Sequence, residues 1–506
     1  MRIASTRFRG SLAWAAAGLV LLTVLTRLPA LVYPHPIDDE AIYSVVATEI
    51  VHGGRPYVNA VERKPPLLFW TYAALFDLAG PYDWRALHVL AVLWVLATMA
   101  GLFVAGREIA GPEAGLAAAL LYSIFQPWMT WKNLALNGEL LMNLPLAWAL
   151  AILFARERPR SRPGLLAAGA LIAVACLLKQ PAGIAILPAV VYMLTRAYRG
   201  SRGLGVSDAR RHAALVCVGF AAALVTVGLV LRAQGILGDA WYWSVGDHDM
   251  PHVFWLRAVE HSTGFLLACL PLVGGAIVSL RNGDLWRGRA AERDSLIVWI
   301  AASCIGVSAS ARFYPHYYIQ LVLPLAVAAA PAYARLWQQA APRWSLAGTA
   351  TAAWLIATML VFAVSQSVGL RAQRTPPAGL YLRQHSSSAD RVFVWGQSPR
   401  IYDDAERRPA CRYVATFPLT GYVFGSTVPG LDLRSRILPG AWSTLQQDFA
   451  RHRPAFIVDT EAGPGALTPI AQFPVLQQFI ARDYQPVWRS ASAVVYRRRA
   501  LSGAGG

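Results

Sequence analysis

Charge is scarce in this 506-residue chain: 15% of the residues are Asp, Glu, Lys or Arg, against 56% that are apolar. Ordinary soluble domains carry about a quarter charged residues, so the shortage excludes a chain of this size with a conventionally solvated surface. Cysteine is scarce too. Cys176, Cys217, Cys269, Cys304 and Cys411 supply neither a disulfide framework nor a metal-ligand spacing. Lysine is rarest of the charged residues, at positions 64, 132 and 179 only, although Lys and Arg together number 46. There is no internal repeat and no low-complexity tract, which excludes solenoids and polar linker arrays.

What is plentiful is apolar sequence in runs of roughly 17 to 23 residues, each about long enough to cross a hydrocarbon core as a helix. Spans are expected near 11–33, 86–105, 112–127, 138–155, 163–179, 180–196, 213–233, 262–281, 294–311, 317–334 and 346–368, about eleven in all. The first run continues through Leu31 and Val32 without a small-residue cleavage site, so it reads as a retained anchor rather than a signal peptide. Arginine sets the orientation. Arg2, Arg7 and Arg9, Arg107, Arg156 to Arg162, Arg196 to Arg211, Arg281 to Arg293, Arg335 and Arg343 fall in alternate loops, the cytoplasmic ones if the N-terminus lies inside. The residues after about 369 then lie outside, and the expected location is the cell inner membrane. Much of the net charge of +18 is this topology signal. With no basic stripe interleaved with aromatics, nucleic acid is not an expected partner.

Two regions break the alternation of span and short loop. Residues 34–85 read as an outer loop holding two short helices. One runs from about Asp38 to Val51 with Ile42, Val45, Val46 and Ile50 at helical spacing, and Gly53-Gly54 stops it. The other starts at Lys64-Pro65-Pro66 and continues towards Leu78. Both suit the outer membrane surface. Residues 369–506 read as a small α/β domain, with strands at Val392–Trp395, Ala455–Asp459 and Ala493–Arg497 and helices at Gly379–His385, Ala441–His452 and Ile470–Asp483. The expected organisation is a membrane domain over 1–368, including the loop 34–85, and an extracytoplasmic domain over 369–506, with Ser502 to Gly506 frayed.

Four polar clusters fall on the expected outer side. Asp38-Asp39-Glu40 could cap a helix, Asp38 accepting from free backbone amides. Three adjacent acids exceed what a cap needs, and one carboxylate could take the proton of an acceptor hydroxyl while a neighbour orients the sugar or a cation. Glu62-Arg63-Lys64 is either a solvated charge group or a phosphate grip in which the Lys64 ammonium meets a lipid phosphate. Asn137-Gly138-Glu139 is either a cap or an interfacial carboxylate. In Arg312-Phe313-Tyr314-Pro315-His316-Tyr317-Tyr318 the tyrosines suit an aromatic belt, and Arg312 with His316 suits an anion.

An acidic pair after the first span, some 25 residues before Glu62-x-Lys64-Pro65, resembles the membrane glycosyltransferases of the GT-C fold. The resemblance is to bacterial relatives of protein O-mannosyltransferases and of aminoarabinose or galacturonic acid transferases to lipid A. Asp39-Glu40 through Lys64-Pro65-Pro66-Leu67-Leu68-Phe69-Trp70 is its strongest stretch. Lys179-Gln180-Pro181-Ala182-Gly183 and His316-Tyr317-Tyr318 with Leu323-Pro324 support it over about 1–335. It implies a polytopic α-helical membrane protein with a small outer-face α/β domain. By position, it implies that Asp39 is the catalytic aspartate with Glu40 its companion. Lys64 would bind the donor phosphate, assisted by Tyr317 or Tyr318, and Glu62 and Glu139 would match acidic positions near a metal or acceptor. Asp38 lengthens the acidic motif by one residue, and whether a divalent cation takes part stays open.

The implied reaction is inverting transfer of a sugar from a polyprenyl-phosphate donor to a hydroxyl of a cell-envelope acceptor: lipid A, a polysaccharide or a protein. Asp39 would deprotonate the hydroxyl, and Lys64, Arg312 and Arg257 would stabilise charge on the departing phosphate. Phosphate leaves already ionised, so a second acid is not required, unlike glycosidase chemistry. The rival readings are a transporter and a lipid-linked glycan flippase or ligase. Against transport stand the lack of repeated halves and the scarcity of ionisable residues within the spans.

Overall fold

The computed structural model describes the chain except for residues 1, 156–160, 199–204, 247–253, 341–360, 363, 373–374, 423–431 and 500–506, and the side chains of 2–13 and 340. Most of the expected span at 346–368, the terminal Ser502 to Gly506, and Arg156, Arg158, Arg160, Arg199, Arg202 and Arg343 therefore lie outside the described residues. The chain divides into two compact units, each discontinuous in sequence. One holds 1–35, 85–230 and 251–372; the other holds 36–84, 231–250 and 373–506.

The first unit is helical. Its helices are α1 (Arg2–Val32), α4 (Trp84–Ala110), α5 (Pro112–Phe125), α6 (Gly138–Phe154), α7 (Arg162–Leu178), α8 (Ile186–Tyr198), α9 (Val206–Ala233), α11 (Trp255–Ala268), α12 (Leu270–Arg281), α13 (Ala290–Ser308) and α14 (Ile319–Ala340). The expected spans from 11–33 to 317–334 each coincide with helix. Five segments among the described residues are long and apolar enough to cross a membrane: Trp14–Val32, Trp84–Ala110, Gln180–Tyr198, Val206–Ala233 and Pro315–Gln339. The pair α11 and α12, bent by 76°, makes a sixth if it is one broken span. Helices α5, α6 and α7 are shorter apolar helices.

Local chemistry places the breaks. Asn137 Oδ1 accepts the Leu140 amide at 2.9 Å and starts α6; Ser161 Oγ accepts the Gly164 amide and starts α7. Pro181 follows the end of α7, and a 3₁₀ turn over Gln180–Ala185 leads into α8. Inside the unit Arg27, 2% exposed, is held by Gln126 Oε1 at 2.9 Å and by the Leu134 carbonyl, which ties α1 to the segment between α5 and α6.

The second unit contains α2 (Glu40–Val51), α3 (Pro66–Ala79), α10 (Leu237–Val245), α15 (Pro377–His385), α16 (Arg400–Ala405), α17 (Ala441–His452) and α18 (Pro474–Asp483). It also contains a five-stranded sheet in the order β2-β1-β3-β5-β4. Its strands are β1 (Arg391–Trp395), β2 (Arg408–Pro409), β3 (Phe456–Asp459), β4 (Tyr484–Arg489) and β5 (Val494–Arg498). Strand β1 runs parallel to β2 and β3, and β5 runs antiparallel to β3 and to β4. Phe456 to Asp459 and Val392 to Trp395 are buried along their whole length, as central strands covered on both faces must be. Trp395 anchors that core, its indole donating to the Thr468 carbonyl at 2.8 Å while Phe393, Trp442 and Phe473 pack around it.

The sequence missed β2, β4, α10 and α16. Strand β4 contains Pro486, which argues against a strand; it survives because β4 is at the sheet edge and the ladder is irregular between Pro486 and Trp488. Helix α2 differs from the amphipathic expectation: every residue from Glu40 to Glu49 is buried. Its polar side chains are covered by the α/β domain, where Arg391 and Arg408 clasp Glu49 and Asp403 meets Ser44.

Candidate active site

In the second unit the acidic motif is split into three environments. Asp38 takes a left-handed backbone, φ 55°, unusual for a residue with a side chain, and is exposed. Glu40 is fully buried, and its Oε2 accepts the Ile37 amide at 2.8 Å, closing the turn that leads into α2. Asp39 sits at the N-cap, yet its side chain makes no capping bond; its carbonyl accepts from the Ile42 and Tyr43 amides instead. The first amides of α2 are taken by backbone carbonyls of Ile37, Asp38 and Asp39 rather than by acid side chains, and the Asp39 carboxylate is part-exposed.

Tyr43 and Lys64 both meet that carboxylate. The Tyr43 hydroxyl, one helical turn on, donates to Asp39 Oδ2 at 3.0 Å. Lys64 Nζ stands 3.8 Å from the same oxygen and 3.8 Å from Glu62 Oε1. Lys64 is held by its backbone: its carbonyl accepts from the Tyr57 hydroxyl at 2.8 Å and from Ser244 Oγ at 3.2 Å. Pro65 and Pro66 follow at once and fix the start of α3. Asp39, Glu62, Tyr43 and Lys64 therefore form one cluster, in which a part-exposed carboxylate and a part-exposed ammonium face each other.

In the first unit a second cluster forms around Glu139. Because Asn137 caps α6, Glu139 is left to pair with Lys179 Nζ at 2.7 Å, both side chains being buried. Lys179 also lies 5.0 Å over the Tyr317 ring. The approach needs Gly138, where an added Cβ would fall 2.9 Å from Lys179 Cδ. Tyr317 in turn packs edge-on to His316, which stacks on Tyr314. Arg257 lies over the Phe254 and Tyr314 rings, and its Nη1 donates to the Arg312 carbonyl at 3.5 Å. The Tyr318 hydroxyl is engaged with Ser262 Oγ at 2.7 Å. Ala311 and Phe313 both have positive φ, so the loop that presents Arg312 is backbone-strained.

Each unit thus gathers its own share of the expected residues: Asp39, Glu62 and Lys64 in one, and Glu139, Arg257, Arg312, His316 and Tyr317 in the other. Tyr43 and Lys179 escaped the expected set. Lys179 carried a usable signal as one of three lysines in a chain that otherwise uses arginine. Among the described residues no group of three or more His, Cys, Asp or Glu side chains is placed to hold a metal ion.

The fold can be compared as a whole. ArnT from Cupriavidus metallidurans, solved bound to undecaprenyl phosphate, superposes with a TM-score of 0.63 over 98% of this chain and 99% of that one, at 15% identity. The fold is GT-C. The oligosaccharyltransferase of Archaeoglobus fulgidus, in a complex with Zn and sulfate, shares this GT-C fold at a TM-score of 0.55 and 14% identity, covering 88% of this chain and 68% of that chain. Its AglB structure with an inhibitory peptide and a dolichol-phosphate gives a TM-score of 0.50 at 13% identity, covering 97% of this chain and 74% of that chain. In sequence, residues 63–230 match the family model described as dolichyl-phosphate-mannose-protein mannosyltransferase. No curated protein matches significantly. The chain is thus a multi-pass membrane protein similar to GT-C glycosyltransferases, as its acidic and Glu-x-Lys-Pro elements had implied.

Proposed function

We propose that this chain is an inverting glycosyltransferase that moves a sugar from a polyprenyl-phosphate carrier to a hydroxyl of a cell-envelope acceptor. One observation carries the reading: the Asp39 carboxylate is relieved of capping, part-exposed, and steadied by the Tyr43 hydroxyl at 3.0 Å. As general base, Asp39 takes the acceptor's proton while the oxygen bonds to the anomeric carbon and the bond from that carbon to the phosphate oxygen breaks. Lys64, 3.8 Å from Asp39 Oδ2, supplies the ammonium for the phosphate that departs. Glu40 orients the turn that carries Asp39, and Glu62 holds Lys64 from its other side.

The cation-aromatic cluster of the membrane unit, Arg257, Arg312, His316, Tyr317 and Tyr318, has the chemistry of an anion-binding surface beside apolar helices and is assigned to the donor. ArnT, with the same fold, was solved with undecaprenyl phosphate, which supports a lipid phosphate as the carrier. The matched mannosyltransferase family model supports a hexose as the transferred sugar. Glu139 and Asp38 are assigned to the acceptor side. We place the protein in the inner membrane with its N-terminus cytoplasmic and residues after about 369 outside.

The test is transfer from a panel of radiolabelled polyprenyl-phosphate sugars in membranes, wild type against Asp39→Asn. The wild type should transfer one of them. The variant should express, bind the lipid, and lose activity about a hundredfold or more, because an amide can accept a hydrogen bond but not a proton. Full turnover in Asp39→Asn would remove the base from the mechanism.

A further inference from the structure

Helix α2, which carries the acidic motif, is gripped near both ends by the C-terminal α/β domain, and the two grips differ in kind. Near its C-terminal end Glu49, 1% exposed, accepts from Arg408 Nε at 2.7 Å and Nη2 at 2.8 Å, and from Arg391 Nη1 at 3.2 Å. That is a charge-paired anchor, two guanidinium groups on one carboxylate. Towards its N-terminal end the contact is a side-chain hydrogen bond: Ser44 Oγ meets Asp403 Oδ1, and Asp403 is 2% exposed.

Ser44 joins the two elements. Its oxygen lies 3.0 Å from the Ala41 carbonyl, an acceptor only, and against Asp403 Oδ1. Its single proton is directed at these two acceptors, so the hydroxyl is held from both sides. The other oxygen, Oδ2, has no hydrogen-bond partner among the described residues, which a neutral carboxyl tolerates far better than a carboxylate.

From this geometry we infer that Asp403 is a positioning residue for the catalytic turn: its buried carboxyl accepts the Ser44 hydroxyl, which also lies against the Ala41 carbonyl, and so locks the first turn of α2 behind Asp39. The chain of bonds runs from the α/β domain to a carbonyl two residues from the proposed base. The surrounding charges agree. Burial, the largest effect, holds the Asp403 carboxyl well above the usual range; Ser44 and Arg400 act to lower it, Asp404 and Glu40 to raise it. Tyr72 on α3 and Tyr82 also face this carboxyl.

The inference rests on Asp39 being the base, so its test has one arm that does not involve turnover. In the first arm, amide hydrogen exchange of the purified chain is followed over residues 41–43. Exchange should quicken in Asp403→Ala and Ser44→Ala and stay at the wild-type rate in Asp403→Asn, whose side-chain carbonyl can still accept the Ser44 hydroxyl. In the second arm, kcat and KM for the donor are compared below the denaturation temperature of every variant. Asp403→Ala should lose about tenfold in kcat with KM within about threefold, as expected for a displaced base rather than lost binding, while Asp403→Asn retains at least about half of kcat.

Unchanged exchange in Asp403→Ala, or an Asn variant as impaired as the Ala variant in both arms, would overturn the role of Asp403. A wild type that transfers no sugar, with the exchange pattern as expected, would instead overturn the transferase reading and leave the positioning of α2 standing.

Discussion

A carboxylate and an ammonium 3.8 Å apart, with a second carboxylate at the same distance on the other side, decide what substitution can do at Lys64. Lys64→Ala leaves Asp39 and Glu62 facing a gap and takes away the charge proposed for the phosphate, so transfer should be abolished while the protein still folds. Lys64→Arg keeps the charge, but a planar fork cannot stand where a point ammonium stands, and turnover should fall by about tenfold or more. Donor turnover alongside a thermal denaturation curve checks both; full activity in the alanine variant would remove Lys64 from the site. The acid at 403 makes a prediction about stability. Its folded-state affinity for a proton is raised, chiefly by burial. Its contribution is therefore fully present below the ordinary carboxyl range near about pH 3.9, and is lost as the pH rises towards the folded value. Asp404 and Asp459, each raised to about 6 mainly by burial, add the same sign and remain in a variant of Asp403. The fall in Tm between pH 5 and pH 8 should accordingly be smaller in Asp403→Asn than in the wild type.

Helices in a bilayer gain little from hiding apolar surface from one another, so close backbone approach matters more than it does in water. Helices α7 and α9 show such an approach. A Cβ on Gly169 would fall 1.9 Å from the Val216 carbonyl oxygen, and one on Gly219 would fall 2.0 Å from that of Leu166. Gly228, further along α9, has nothing within 4 Å of its would-be Cβ. Gly219→Ala should therefore push the helices apart and cost about 1–3 kcal/mol, whereas Gly228→Ala should be neutral or stabilising, since alanine favours helix by about 1 kcal/mol. Denaturation of the two variants in the same detergent compares them directly, and equal Tm values would refute the packing argument. At this scale most elements were legible in the sequence. Apolar runs, the Asn137 and Ser161 caps, and prolines 65, 66 and 181 mark boundaries by local chemistry alone. The covering of α2 was not legible, because the partners of Glu49 and Ser44 lie 342 to 359 residues away.

Across the whole molecule the arginine asymmetry makes an orientation prediction. A reporter fused after residue 369 should be active only if exported, and one fused near 205 only in the cytoplasm; both reporting the same side would refute the proposed topology. That the chain is a multi-pass helical protein with the GT-C fold and a small terminal sheet followed from sequence, because hydrophobic length and turn chemistry are local quantities and the Asp-Glu and Glu-x-Lys-Pro elements are short motifs. The strands Val392–Trp395 and Ala455–Asp459 were visible for the same reason: buried runs of β-branched and aromatic residues announce themselves. Tertiary structure alone decided how the three acids divide their work. Glu40 turns inward to the Ile37 amide, Asp38 takes a strained backbone, and Asp39 is left to Tyr43 and Lys64. It alone also joined 36–84 to 373–506 in one unit and paired Glu139 with Lys179. Spacing along a chain sets which residues share a helix face, but a carboxylate's role depends on which distant donors the fold brings within a few ångströms of it, and that distance is a property of the folded chain.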